Sequence, residues 1–251
     1  DNDCIKDCAG VWGGDAIEDC AGVCGGTHVD SDCGTVSDIE GNEYKTIKIR
    51  DQIWMAENLR VSFYNNGDQI QKWENSSSTS NITGGAFTVY NDTIPLDSLF
   101  IGYLYNGNAI LDERGICPIG WSVPKLNHFY ELFDYFHTTG NPENSTWEGM
   151  ATHFKSQYWE GTDEFPSPHP NLDYNSTGFS AIQAGFCDVE NKCYSFNINT
   201  GFWIGELYYD NNDGVNKNQY YSFYVNDPDE IYKAIPSGAT THFISVRCIK
   251  D

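Results

Sequence analysis

Nine cysteines constrain this chain more than any other feature, because of where they fall. Cys4, Cys8, Cys20, Cys24 and Cys33 crowd the first 33 residues, whereas Cys117, Cys187, Cys193 and Cys248 are spread over the remainder. Such density is expected in an oxidising compartment, where thiols persist as disulfides. Zinc is the competing reading, since Cys4, Cys8, Cys20 and Cys24 form two C-x3-C pairs, a spacing that metal sites tolerate. The residues between them are Gly and Asp rather than a compact knuckle, which favours disulfides.

The same stretch is a repeat. Asp7-Cys8-Ala9-Gly10-Val11-Trp12-Gly13-Gly14 returns twelve residues later as Asp19-Cys20-Ala21-Gly22-Val23-Cys24-Gly25-Gly26. Units this short, each with one valine and paired glycines, bury no core of their own. Disulfides, bound cations or a neighbouring surface must therefore hold residues 1–35 as an appendage to a main domain at 36–251. The strip loosely resembles thrombospondin type 3 repeats, the Asp/Cys/Gly-rich repeats of secreted and surface-attached proteins. The resemblance implies a stalk or spacer that binds Ca²⁺ through Asp1, Asp3, Asp7, Asp15, Asp19, Asp30 and Asp32. A complete D-x-D-x-D-G loop is missing, and a flexible acidic linker is the alternative.

Charge narrows the partners. Asp+Glu number 36 against Lys+Arg 14, a formal charge of −22, which repels polyanions and leaves no basic stripe for phosphates. Nucleic acid and anionic membrane are excluded as partners on that ground. The carboxylates either stay hydrated or converge on hard cations such as Ca²⁺, which takes six to eight oxygens. No apolar run reaches the roughly 18 residues that span a bilayer. A first residue of Asp rather than Met fits a secreted, processed product. Aromatics make up 15% of the chain and Met only 2 residues, so the core must be built from rings.

Periodicity places the elements. Residues 42–49 and 52–55 alternate apolar and polar around Arg50-Asp51, the pattern of a β-hairpin. Leu126, Phe129, Tyr130, Leu132, Phe133 and Phe136 recur at helical spacing and predict a helix over 125–137. A weaker pattern, burying Met150, Ala151 and Phe154, predicts a second helix over 147–157. Residues 75–81 and 161–177 are expected as long loops. Short strands are expected at 179–186, 193–198, 201–209, 219–225 and 243–249.

Six islands then carry a family resemblance. They are 41–49, Gln52-Ile53-Trp54-Met55-Ala56-Glu57-Asn58-Leu59-Arg60, Gly102-Tyr103-Leu104-Tyr105-Asn106, Cys117-Pro118-Ile119-Gly120-Trp121-Ser122-Val123-Pro124, Gly178-Phe179-Ser180-Ala181 and Ser245-Val246-Arg247-Cys248. In this order they resemble the Fibrobacter succinogenes major paralogous domain, over about residues 38–251. The resemblance implies an α+β, C-type-lectin-like fold, related to the formylglycine-generating-enzyme superfamily, with two helices, short antiparallel strands and long loops. It also implies a disulfide between Cys117, just before the helix, and Cys248 on the last strand. Cys187 and Cys193 flank five residues and should clip a hairpin. The N-terminal five then leave one cysteine over, for an intermolecular bond or a free thiol.

No assembled catalytic site is legible. The Glu-Pro-Asn and Gln-Pro-Asp tripeptides of calcium-dependent sugar-binding lectins are absent. Trp159, Trp203 and Tyr208 are the candidates for stacking on a glycan, against the plainer reading of tryptophan as core. The run from Tyr208 to Gly214 fails the EF-hand pattern and reads as a turn. Six scattered histidines show no metal-ligand spacing. An oxidoreductase of the formylglycine-generating type would need Cys187 and Cys193 as thiols. Five Asn-x-Ser/Thr tripeptides, at Asn75, Asn81, Asn91, Asn144 and Asn175, are expected by chance in so Asn-rich a chain. The expectation is a secreted, non-enzymatic, calcium-stabilised cell-surface module for adhesion or self-assembly, its N-terminal strip contacting a homopolymer or surface partner; a carbohydrate-binding module is the alternative.

Overall fold

The computed structural model describes residues 5–74, 82–89, 101–134, 146–148, 150–156, 175–190, 192–194, 199–209, 218–226, 230–234 and 242–251. Asp1, Asp3, Cys4, Trp159, the tripeptides at Asn75, Asn81, Asn91 and Asn144, the loop 75–81, most of the loop 161–177 and the turn at 210–214 lie outside them.

The two repeat units fold alike because each asks the backbone for the same turn. Gly10 N–H donates to Asp7 O and Gly22 N–H to Asp19 O, both at 2.9 Å, and Gly13 and Gly25 close on Ile5 and Ile17. Cys8 pairs with Cys24 and Cys20 with Cys33, so one disulfide ties unit to unit and the next ties the second unit to the body. Strand β1 (Cys33–Ser37) follows directly and pairs antiparallel with β2 (Glu43–Ile49). The expected boundary at 35/36 thus falls inside a strand, and the strip runs into the sheet.

A two-residue turn at Arg50-Asp51 joins β2 to β3 (Gln52–Met55), as the alternation predicts. Short strands β4 (Gln71–Lys72), β5 (Ala86–Thr88) and β6 (Leu104–Asn106) lead to a single-turn helix α1 (Gly107–Ile110). Asn106 caps that helix, its Oδ1 accepting from Ala109 N–H. After β7 (Trp121–Ser122) comes α2 (Leu126–Asp134), where the helical spacing placed it.

The second expected helix is not observed over 147–157. Its place is taken by β8 (Thr146–Glu148) and one helical turn, α3 (Ala151–Phe154). The tertiary reason is strand pairing: Trp147 sits opposite Ile231, and an edge strand overrides a weak helical period. The chain then forms β9 (Phe186–Asp188), β10 (Cys193–Tyr194), β11 (Thr200–Tyr209), β12 (Asn218–Asn226), β13 (Glu230–Ala234), β14 (His242–Ser245) and β15 (Ile249–Lys250). β13 was not expected, and 179–186 is strand only at its end.

Sheet dominates this α+β arrangement. Among the described residues, one sheet runs β1-β2-β3-β15-β7 and a larger one runs β4-β5-β6-β14-β11-β12-β13-β8, with β9 also on β14. The apolar stripe of α2 shares one cluster with residues of both: Phe129, Leu132 and Phe133 pack with Trp54 of β3 and Phe202 and Ile204 of β11, Phe129 lying 5.1 Å from Trp54. A second cluster, with Tyr44, Met55, Tyr105, Trp203 and Val246, fills the space between the sheets. Two of its hydroxyls are partnered, Tyr105 donating to Val61 O at 2.7 Å and Tyr44 to Asp38 Oδ2 at 2.7 Å.

Cys117 is bonded to Cys248 across 131 residues, and Cys187 to Cys193 across the β9–β10 hairpin. Both pairings follow the family resemblance and the hairpin reading. In the chain-entropy account a loop of that length stabilises by about 5 kcal/mol. Replacing both Cys117 and Cys248 with Ala should therefore remove about 5 kcal/mol of unfolding free energy in urea titration; a loss below about 1 kcal/mol would show that β15 is held by packing alone.

Candidate functional site

Among the described residues no three His, Cys, Asp or Glu side chains converge as a metal site. Asp7 Oδ1 accepts from Val11 N–H at 2.8 Å and its Oδ2 from Ala16 N–H at 3.2 Å. Asp19 does the same one unit on: Oδ1 takes Ala21 and Val23 N–H, and Oδ2 takes His28 N–H at 3.0 Å and its Nδ1 at 2.9 Å. Asp32 receives Val29 N–H. The repeat spacing puts each carboxylate under its own loop instead of aiming them at one point. Gly14 and Gly26 follow from this, because a Cβ there would lie 2.0 and 2.1 Å from the Asp7 and Asp19 Oδ2 atoms.

Burial raises the Asp19 pKa, but the Val23 and His28 amides and the His28 ring outweigh it and hold the carboxyl below the usual range. A depressed acid contributes stability above its unfolded pKa and loses it as pH falls through the folded one. The protection of the Val23 and His28 amides, relative to their intrinsic exchange rates, should fall below about pH 4, while the β11–β12 amides stay protected.

Trp203 is not a surface aromatic. It is fully buried, and its Nε1 donates to Tyr105 O at 2.6 Å. The reason is that Phe202, Trp203 and Ile204 are all buried, so both faces of β11 are covered and alternation fails there. Tyr208 sits in β11 opposite Gln219. Cys187 is bonded and buried, and is no thiol nucleophile.

The concave feature lies elsewhere, at the seam between strip and body. A cavity of about 380 Å³ opens there. The second repeat unit forms one wall with Glu18, Cys20, Ala21 and Gly22. Lys45, Thr46 and Ile47 of β2 and Ala56, Glu57 and Asn58 form another. Ser156, Asn175, Gly178, Ser180 and Ile182 close the far side, with Arg247 behind them. Seam contact is tight at Gly178, whose φ is +70° and where a Cβ would come within 2.8 Å of both Ala21 Cβ and Ile47 Cγ1.

Arg247 is 1% exposed. Its Nε donates to Asn58 Oδ1 at 2.9 Å, its Nη1 to Phe179 O and its Nη2 to Ser180 O at 2.7 Å. The guanidinium carbon stands 4.4 Å from the Phe179 ring centroid. Among the described residues it has no carboxylate within ion-pair distance. Burial pushes its pKa down to about 9, and Glu57 opposes the shift, so the group is a cation at neutral pH. Two lining residues are strained: Asn175 and Ser180 adopt φ of 57° and 54° without being glycine. They hold each other, Asn175 Nδ2 donating to Ser180 Oγ at 2.7 Å and Ser180 N–H to Asn175 Oδ1. Asn175 is itself buried.

Sequence reasoning quoted Asn58 and Arg247 within family islands but assigned neither a role. The available signal was a lone cation inside the apolar run Phe243–Ile249 of a chain poor in Lys and Arg. Gly178→Ala should cost about 2 kcal/mol or more through the positive φ and the overlap. Faster amide exchange over residues 18–24 would report the strip leaving the body; unchanged exchange there would count against the tight seam.

No curated protein and no solved structure matches the chain. The family model of the Fibrobacter succinogenes major domain matches residues 47–250, beginning within β2 and taking in Ile47, Ala56, Asn58, Ser180 and Arg247 of the cavity lining. On that match, the chain belongs to the Fibrobacter succinogenes major domain family.

Proposed function

We propose that this chain is a non-enzymatic binding module of the cell exterior, working in adhesion or self-assembly through its N-terminal strip. The observation that carries the reading is the exposure of large apolar side chains along a cross-linked strip: Ile5 is 70%, Trp12 65% and Ile17 78% exposed. Unit one also leaves open what unit two covers, since Ala9 and Val11 are exposed where Ala21 and Val23 are partly buried. Repetition of one backbone turn with one face docked and its equal undocked favours a protein partner, a second copy being the simplest.

Four disulfides support a location outside the reducing cytosol. No helix among the described residues is long and apolar enough to cross a membrane. A C-type-lectin-like arrangement is favoured by α2 following Val123-Pro124, by β15 pairing beside β3, and by the Cys117–Cys248 bond. Ca²⁺ enters as the ion that would screen an acidic surface during association, because copies carrying −22 each repel one another.

Light scattering on the full chain tests this. Mass should rise with protein concentration in Ca²⁺, fall toward the monomer in chelator, and stay monomeric in Trp12→Ser/Ile17→Ser. A monomer under every condition would reject self-assembly.

A further inference from the structure

We propose that the cavity at the seam is a binding site for a small organic carboxylate, received by the guanidinium of Arg247. Three features of the site lead there, none of which the strip's association requires.

The first is unfilled donor capacity. A guanidinium carries five N–H groups, and the acceptors Asn58, Phe179 and Ser180 take one from each nitrogen. Among the described residues one N–H on Nη1 and one on Nη2 have no acceptor, on a side chain that is 1% exposed and lines the cavity. Buried polar hydrogens are nearly always partnered, and a guanidinium with donors left on both terminal nitrogens suits the oxygens of a carboxylate.

The second is charge. The hydrogen-bond partners of Arg247 are neutral carbonyls and an amide, and among the described residues no carboxylate stands within ion-pair distance, Glu57 acting on it only from further off. Buried charges are ordinarily matched by a counter-charge. Glu18 and Glu57 on the walls disfavour a dianion such as phosphate, and the overall charge of −22 disfavours anions generally. A single negative charge placed at Arg247 and shielded from the mouth is what this field admits.

The third is shape. Ala21, Ile47, Ala56 and Ile182 give apolar walls for a carbon skeleton, and about 380 Å³ is room for a small molecule. Asn175 and Ser180 keep left-handed backbones at its rim, and such strain concentrates at ligand clamps. Ser180 is also the residue whose carbonyl holds Nη2, so the strained turn and the cation are one assembly.

Benzoate and its neutral isostere benzamide are suitable probes, titrated into the full chain at physiological salt. Benzoate should bind saturably, shift the Asn58 side-chain amide and Arg247 Nε–H resonances, and bind about tenfold or more tightly than benzamide. Arg247→Gln should abolish that preference. Because Arg247 also braces Phe179 and Ser180, Ala56→Phe supplies a second variant, which fills the cavity from its wall and should block benzoate with Arg247 intact. Absence of saturable benzoate binding, equal binding of benzamide, or benzoate affinity unchanged in Ala56→Phe would each overturn the site. Loss of self-association with benzoate binding retained would reject the strip's role and leave this one standing.

Discussion

The last ten residues belong to both sheets at once, and most of the structure depends on that. β14 pairs with β6, β9 and β11 in the large sheet, and only three residues later β15 pairs with β3 and β7 in the small one. Those three residues, Val246, Arg247 and Cys248, are buried. Val246 packs in the cluster between the sheets, Cys248 is bonded to Cys117, and Arg247 ties Asn58 to the carbonyls of Phe179 and Ser180. A segment of long sequence separation thus closes the fold, which makes the pairing entropically demanding and gives a cross-link over it the most to contribute.

Arg247 shows how a buried charge is tolerated without an ion pair. Its cost of dehydration is offset by three hydrogen bonds and by the faces of Phe179 and Phe202, whose centroids stand 4.4 and 5.3 Å away. The same bonds tie the 175–180 turn, with its two left-handed non-glycines, to Asn58 in the segment that follows β3. Where that turn meets the second repeat unit, the strip roofs the cavity. The appendage is therefore part of the site's architecture, held by Cys20–Cys33 on one side and by the Ala21–Gly178 contact on the other.

Local pattern was readable wherever one element carried its own signal. The β2–β3 hairpin and α2 lie where alternation and helical spacing put them, because each carries a period of its own in the sequence. The repeat was legible too, down to the identical turns, since each unit's Asp and glycines act on their own loop. Readings failed where a partner distant in sequence decided the outcome. Residues 146–148 became a strand because β13 offered an edge, and Trp203 is buried because both faces of β11 are covered. Within the strip, the hydrogen bonds that Asp7 and Asp19 accept from backbone N–H groups are local, reaching no further than nine residues along the chain.

By itself, then, the amino-acid order determined the elements with a period of their own, the repeat, the oxidising setting implied by cysteine density, and the family. Tertiary structure alone decided which strip cysteines pair, that Arg247 stands behind a cavity, and that Asn58, Asn175 and Ser180 gather around it from segments more than a hundred residues apart. The physical reason is range. Turn chemistry and side-chain period act over a few neighbours, whereas a cavity wall or a buried cation's partners exist only after remote segments have closed on one another.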